Sequence, residues 1–257
     1  MKNLIIVSLS VIILGFGCTE KVEKIIPPEL SPSELEAQQI IDQAIEEHGG
    51  EKYNDLKIEF DFRDRHYKAE RKKGIYKYER IFKDTADQKF HDILTNDSIV
   101  RTINGERVDL TQKQRSGYSN SINSVIYFLL LPHFLNDPAV LKDYIGDEKI
   151  NGASYQKIKV TFKQENGGKD FEDEYIYWIN KETHTMEYLA YNYLVNGGGA
   201  RFRSAYNFRT IKGLRFADYI NYKPIEKTRE VNTFGELFQN QGLKELSKIE
   251  SENIIVH

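Results

Sequence analysis

Any chemistry in this 257-residue chain must come from a short inventory. There are six histidines, His48, His66, His91, His133, His184 and His257, and one cysteine, Cys18. No two histidines stand at HExxH spacing, and no Cys–His group has the spacing of a metal site. His184 and Glu187 are three apart, but their surroundings read as a strand, where that spacing puts side chains on opposite faces. GxSxG, the nucleophile turn of α/β-hydrolases, is missing. The glycine-rich run 196–199 joins two strands instead of opening a helix, so it presents no helix N-terminus to a phosphate. No catalytic residue, metal or cofactor is expected. One polar cluster, Arg63-Asp64-Arg65-His66, reads either as a hairpin mouth able to grip a polar head group or as a solvated turn.

Cys18 has a different chemistry. It ends MKNLIIVSLSVIILGFGC, in which Lys2 precedes an apolar run from Leu4 to Phe16 and small Gly17 precedes the cysteine. A positive start, a short apolar core and a small residue at the cut make a secretory leader. A spanning helix wants about 20 apolar residues, more than this run holds. A lone cysteine in this place resembles a bacterial lipobox, in which the leader is removed and the cysteine is lipidated. Gly17 and Cys18 fit that pattern; Gly15 and Phe16 depart from it, with Leu14 one place early. The expected division is a signal peptide at 1–17, a lipid-anchored tether at 18–32 rich in charge and proline, and one domain at 33–257.

Lys and Arg (36) nearly balance Asp and Glu (39), which leaves a net charge of −3 and no basic footprint for nucleic acid. The chain carries 16 Tyr and 14 Phe, residues that favour strands. Several fall on alternating segments: Phe62, Tyr76, Tyr78 and Phe82 early, Tyr177, Trp178 and Tyr191 late. Tyr127, Phe128 and Phe134 lie on a middle insert. Such side chains line apolar pockets, and they equally fill the core of a β domain. Arg80 and Arg203 share strands with them; an inward Arg80 needs an anionic partner, from a ligand or from a carboxylate of the chain.

The elements that position these residues can be outlined. Ser31-Pro32-Ser33-Glu34 predicts a capped helix running to His48-Gly49-Gly50. The period then becomes two. Asn104-Gly105, Asn151-Gly152 and Lys212-Gly213 predict tight turns between strands. Val125–Leu131 predicts a buried helix, Asn136-Asp137-Pro138 to Gly146 a second one, and residues 234–240 a third, short one. The last strand is expected near 246–256. About ten or eleven antiparallel strands result, with no alternation of strands and long helices, so Rossmann and TIM-barrel folds are excluded.

The helix ending in HGG, then FDFRDRHYKAER and GIYKYERIFKD, then YIYWINKETHTMEYLAYNY, resemble a flavobacterial (Bacteroidetes) lipoprotein family of the DUF6503 type. That family is similar to the LolA/LppX lipoprotein-carrier superfamily. The resemblance covers nearly all of residues 33–257. It implies a mainly β (α+β) fold: a curved, incompletely closed antiparallel sheet, a LolA-like half-barrel, with an N-terminal helix and a helical plug on its concave side. It implies non-catalytic binding or carriage of a lipid or other apolar ligand between sheet and plug. An aldolase label attached to some similar chains finds no support here, since such enzymes are TIM barrels.

The expected protein is a lipoprotein of the bacterial cell envelope, held by its N-terminal lipid at the outer membrane, facing either the periplasm or the surface. Its ligand site is expected among Phe62, Tyr76, Tyr78, Arg80, Phe82, Tyr127, Phe128, Phe134, Tyr177, Trp178, Tyr191 and Arg203. The alternative is an interaction module with a packed core whose outer face binds envelope proteins or glycans. An enzyme is the remotest reading.

Overall fold

Ser31 and Glu34 start the first helix as the sequence predicts. In the computed structural model, which describes residues 30–163, 173–194 and 197–257, α1 runs Pro32–His48. Glu34 N donates to Ser31 Oγ at 3.3 Å and Ser31 N to Glu34 Oε2 at 2.7 Å, a reciprocal cap. The leader, Cys18 and the tether up to residue 29 lie outside the described residues.

Fourteen strands follow among the described residues. They are β1 (Asp55–Phe62), β2 (Arg65–Lys72), β3 (Ile75–Lys83), β4 (Lys89–Thr95), β5 (Ile99–Ile103), β6 (Glu106–Val108), β7 (Val140–Ile150), β8 (Ala153–Phe162), β9 (Tyr175–Asn180), β10 (Met186–Tyr193), β11 (Gly199–Ile211), β12 (Leu214–Pro224), β13 (Leu243–Ile249) and β14 (Ser251–Val256). Helix α2 (Gln112–Leu129) separates β6 from β7, and α3 (Phe234–Gln239) separates β12 from β13. The predicted Asn-Gly turns join β5 to β6 and β7 to β8. Asn104 (φ 50°) with Gly105 (φ 91°), and Asn151 (φ 51°) with Gly152 (φ 87°), supply the two positive φ values of a type I′ hairpin.

The strands form two seven-stranded sheets, in the orders β14-β1-β2-β3-β4-β5-β6 and β13-β12-β11-β10-β9-β8-β7. Every recorded pairing is antiparallel. One residue, Glu250, separates β13 from β14, so the chain steps from one sheet to the other there. The two sheets therefore continue into one curved surface. Its far edges, β6 and β7, are unpaired with each other, and the whole does not close into a barrel.

Both long helices cover the inner side. Ala37, Ile40, Ile41 and Ala44 of α1 bury against Ile158, Val160, Tyr177 and Ile179 of the second sheet. Ile122 and Ile126 of α2 bury against Ile58, Phe60, Tyr67 and Tyr78 of the first. Tyr127 and Ile45 touch both cores, which ties them together. On the other side of the second sheet, Val231 and Phe234 cap Trp178, Tyr188 and Phe202.

Three expectations need correction. The helix expected from Asn136 to Gly146 is strand β7. Val140, Leu141, Tyr144 and Ile145 fit helical spacing, but they lie on an edge strand whose register shifts between Tyr144 and Asp147, around Gly146 (φ 103°). Helix α2 is longer than expected, because its polar first half starts at a Thr111–Gln114 capping box that the apolar Val125–Leu131 run overshadows. Arg63-Asp64 alone forms the first hairpin turn, and residues 65–72 are β2, which raises the strand count above ten or eleven.

One buried histidine, His48, and one half-buried histidine, His133, are expected to make this fold sensitive to acid. His48 Nδ1 donates to Ala44 O at 2.9 Å, Tyr53 Oη donates to His48 O at 3.2 Å, and His133 stacks on Tyr53 with ring centroids 4.6 Å apart. Burial lowers both imidazoles to about 4. Unfolded, each titrates near 6.5, so between about 6.5 and 4 the unfolded chain binds more protons and stability falls as pH falls. A shift of this size corresponds to about 3 kcal/mol for His48. Urea unfolding is expected to show a clear loss from pH 7 to pH 4.5. His133→Phe, which keeps a ring on Tyr53, is expected to flatten that loss; an unaltered pH dependence would contradict the assignment.

Candidate ligand-binding groove

Register builds the charge on the inner face of the first sheet. Pairing sets Tyr67, Arg80, Asp92 and Arg101 side by side on β2, β3, β4 and β5. Asp92 is 0% exposed and sits between two guanidinium groups. Arg80 donates to it from Nε at 2.9 Å and Nη2 at 2.7 Å, and Arg101 from Nε at 2.6 Å and Nη2 at 2.9 Å. Arg80 Nη1 also donates to Ser121 Oγ of α2 at 2.9 Å. Burial alone would raise the Asp92 carboxyl, but the hydrogen bonds from Arg101 and Arg80 outweigh it and hold the group below its ordinary value. The anionic partner of Arg80 is thus a carboxylate of the chain.

The helical cover is incomplete where the two sheets meet. A groove of about 220 Å³ opens between α2 and the strands on either side of Glu250. Helix α2 supplies Ser124, Val125, Phe128 and Leu129. Phe62 ends β1 and Arg63 follows it; Arg203 comes from β11, and Ala217, Tyr219 and Asn221 from β12. Ser247, Ile249 and Ser251 complete the wall. No acidic residue lines it among the described residues.

Arg203 is the buried cation of this groove, at 8% exposure. Its guanidinium carbon lies 3.9 Å from the centroid of the Phe128 ring and 5.4 Å from that of Tyr191. Nη2 donates to Tyr191 Oη at 3.2 Å, and Nε has no hydrogen-bond partner. Asn221 is its cross-strand neighbour. The Asn221 Nδ2 group donates to Ser247 Oγ at 3.5 Å, and its Oδ1 is buried without a partner.

The structure brings three of the twelve expected site residues, Phe62, Phe128 and Arg203, to the groove wall. Tyr191 stands behind them, its ring 5.7 Å from Phe128. Tyr127 and Tyr177 are buried deeper; neither hydroxyl makes a hydrogen bond of good geometry, and burial raises Tyr127 to about 12 and Tyr177 well above its ordinary value. Phe134 stacks on Tyr127 at 5.1 Å, and the Arg71 guanidinium carbon lies 4.7 Å from the centroid of the Phe134 ring. Tyr76 and Tyr78 stack at 4.5 Å on the first sheet, and Arg71 donates to the Tyr78 hydroxyl. Phe82 stacks on Phe90 at 4.9 Å.

Trp178 lies on the opposite face of its strand from Tyr177, packed against Phe202 and Phe234, with Nε1 donating to Glu148 Oε2 at 2.9 Å. Consecutive strand residues cannot share a face, so it belongs to the α3 side. His66 does not form a hairpin mouth with Arg63 to Arg65. It pairs outward with Asp61 at 2.7 Å and Glu59 at 3.3 Å. Of the wall residues that sequence reading missed, Ala217, Tyr219, Asn221, Ser247 and Ile249 meet only because β12, β13 and the end of β1 converge at the seam. Asp92 and Arg101 did leave a signal: each is a charge in the inward phase of an apolar strand, FHDILT and IVRTI.

The family model described as "Family of unknown function (DUF6503)" matches residues 29–251. No curated protein matches the chain. Among solved structures it is similar to a LolA superfamily protein of Nitrosomonas europaea, at 12% identity over 85% of this chain and 92% of that one, with a TM-score of 0.47. It is similar to a putative outer membrane lipoprotein-sorting protein domain of Vibrio parahaemolyticus, at 10% identity over 86% and 93%, with a TM-score of 0.43. It is also similar to the Mycobacterium tuberculosis lipoprotein LppX, at 12% identity over 65% and 91%, with a TM-score of 0.29.

Removing the charge of Asp92 strands two buried guanidinium groups. Asp92→Asn is expected to cost about 3–5 kcal/mol in urea unfolding at neutral pH. A loss below about 1 kcal/mol would show that the cluster does not hold the first sheet and α2 together.

Proposed function

The chain belongs to the DUF6503 family, and we propose that it binds an apolar or amphipathic ligand, without catalysis, in the groove between α2 and the seam of its two sheets. One observation supports this reading above others: an open space lined by Phe62, Val125, Phe128, Leu129, Tyr219 and Ile249 on the side that the helices cover. A packed interaction module has no use for such a space, because protein interiors are filled to crystal-like density. The absence of acidic groups from the wall suits a ligand whose buried part is hydrocarbon.

Helix α2 is the gate in this reading. Its fully buried residues are only Ile122 and Ile126, with Ser121 bonded to Arg80. Both buried residues lie in its C-terminal half, so opening the groove further by lifting that half costs about 1.5–3 kcal/mol for each apolar side chain exposed. A volume of 220 Å³ holds roughly seven water-sized groups. At about 0.8 kcal/mol per buried CH₂, a chain filling it gains about 5–6 kcal/mol before ordering costs. Before those costs, this gain corresponds to a Kd of about 0.1 mM, the upper limit on affinity for a short chain held by burial alone. The lipidated Cys18, with a tether, would hold the domain at the envelope membrane within reach of such ligands.

Uptake of a fluorescent fatty acid by the purified chain tests the reading. Ala217→Phe fills the groove and is expected to weaken uptake at least tenfold while the melting temperature stays within about 4 °C of the parent. Unimpaired uptake would remove the groove as the site. Cys18→Ser is expected to shift the protein from the membrane to the soluble fraction of cells; firm retention would overturn the anchor.

A further inference from the structure

The described residues bury three arginines, and two of them are accounted for. Arg80 and Arg101 share Asp92, while Arg203 has no carboxylate partner. Burying a cation without a counter-charge is costly, and rings that stack on it recover only part of that cost. Arg203 lines the groove, and its buried Nε–H has no hydrogen-bond partner. Directly across the pair of strands, Asn221 keeps a buried amide oxygen without a donor. Ser247, the other neighbour of that amide, can donate or accept. The carboxamide can therefore turn over, place its oxygen on the Ser247 hydroxyl and present N–H to the groove. Arg63 follows β1 at the same wall and adds a second positive charge.

Resting on the groove reading above, we propose that the ligand is a single-chain anionic amphiphile whose carboxylate or phosphate oxygen is taken by Arg203 Nε and Asn221. The bound oxyanion supplies the missing counter-charge, and the apolar wall formed by Val125, Phe128, Leu129 and Ile249 takes the chain. Size narrows the class further. The space admits one short chain and excludes diacyl and triacyl lipids unless α2 is displaced. Guanidinium specificity for a planar or tetrahedral oxyanion follows from its fixed fork of donors.

Calorimetric titration of the full chain with octanoate, octyl phosphate and octanol, with acetate and inorganic phosphate as chainless controls, tests the assignment. Either anionic octyl compound is expected to bind at least tenfold more tightly than octanol, and their ranking separates a fatty carboxylate from a phosphate head. Acetate and phosphate are expected to bind more weakly still. Arg203→Gln is expected to abolish the preference, so that octanoate and octyl phosphate bind no more tightly than octanol, with thermal stability equal to the parent or above it. Arg203→Lys is expected to keep part of the preference. Equal binding of octanol and octanoate, or a preference that survives Arg203→Gln, would overturn the anion site while leaving the groove reading intact. Acetate binding as tightly as octanoate would overturn the amphiphile. Failure of all three octyl compounds to bind would sink the groove itself.

Discussion

One buried carboxylate organises the first half of this protein. Asp92 accepts four hydrogen bonds from two arginines that arrive from the strands on either side of β4. Without it, β3, β4 and β5 could not turn these charged side chains inward, and α2 would lose the arginine that holds Ser121. Both guanidinium groups share this one carboxylate, which leaves the cluster a net charge of +1. A cluster of this kind contributes little net stability over a well-packed apolar equivalent, but it tolerates no partial loss. It also fixes the strand register, because a one-residue slip would send every member to the solvent face.

The second half solves a different problem. A surface that curves through fourteen strands presents more inner area than two helices can cover. α1 takes the far side and α2 the near side, and the seam at Glu250 is left between them. Residues from β1, β11, β12 and β13 face one another there across an unfilled space. The contrast between the two inward arginine sites is therefore one of completion. The Arg80 site is closed by the chain itself, and the Arg203 site is open where the cover is open.

Much of this architecture was legible. Ser31–Glu34, the Asn-Gly turns and the period-two alternation of Ile58, Phe60 and Phe62 specify local structure through local chemistry, and those elements stand where the sequence puts them. Two of the errors come from residues that fit more than one arrangement. In β7 the residues Val140, Leu141, Tyr144 and Ile145 satisfy both periods, and only pairing with β8 and contact with α1 decide between them. Trp178 and Tyr177 are adjacent aromatics on a strand buried on both faces, so composition could not assign them to opposite sides. Phe62, Phe128 and Arg203 were recognisable as candidates for the groove wall because each is large or charged in an apolar setting. Ala217 and Ser247 were not, since a small residue beside an empty space looks like any other small residue.

The step at Glu250 carries a further consequence, for the order in which the molecule is assembled. β1 is made early, yet its second neighbour is β14, with Ile58 opposite Val256 and Phe62 opposite Ser251. A pairing so distant along the chain closes late and slowly. Until β13 and β14 have emerged, the inner edge of each sheet has no partner and the wall of the groove does not exist. The chain thus stays unlocked for almost its whole length, and the step from β13 to β14 that joins the sheets is the last to be set.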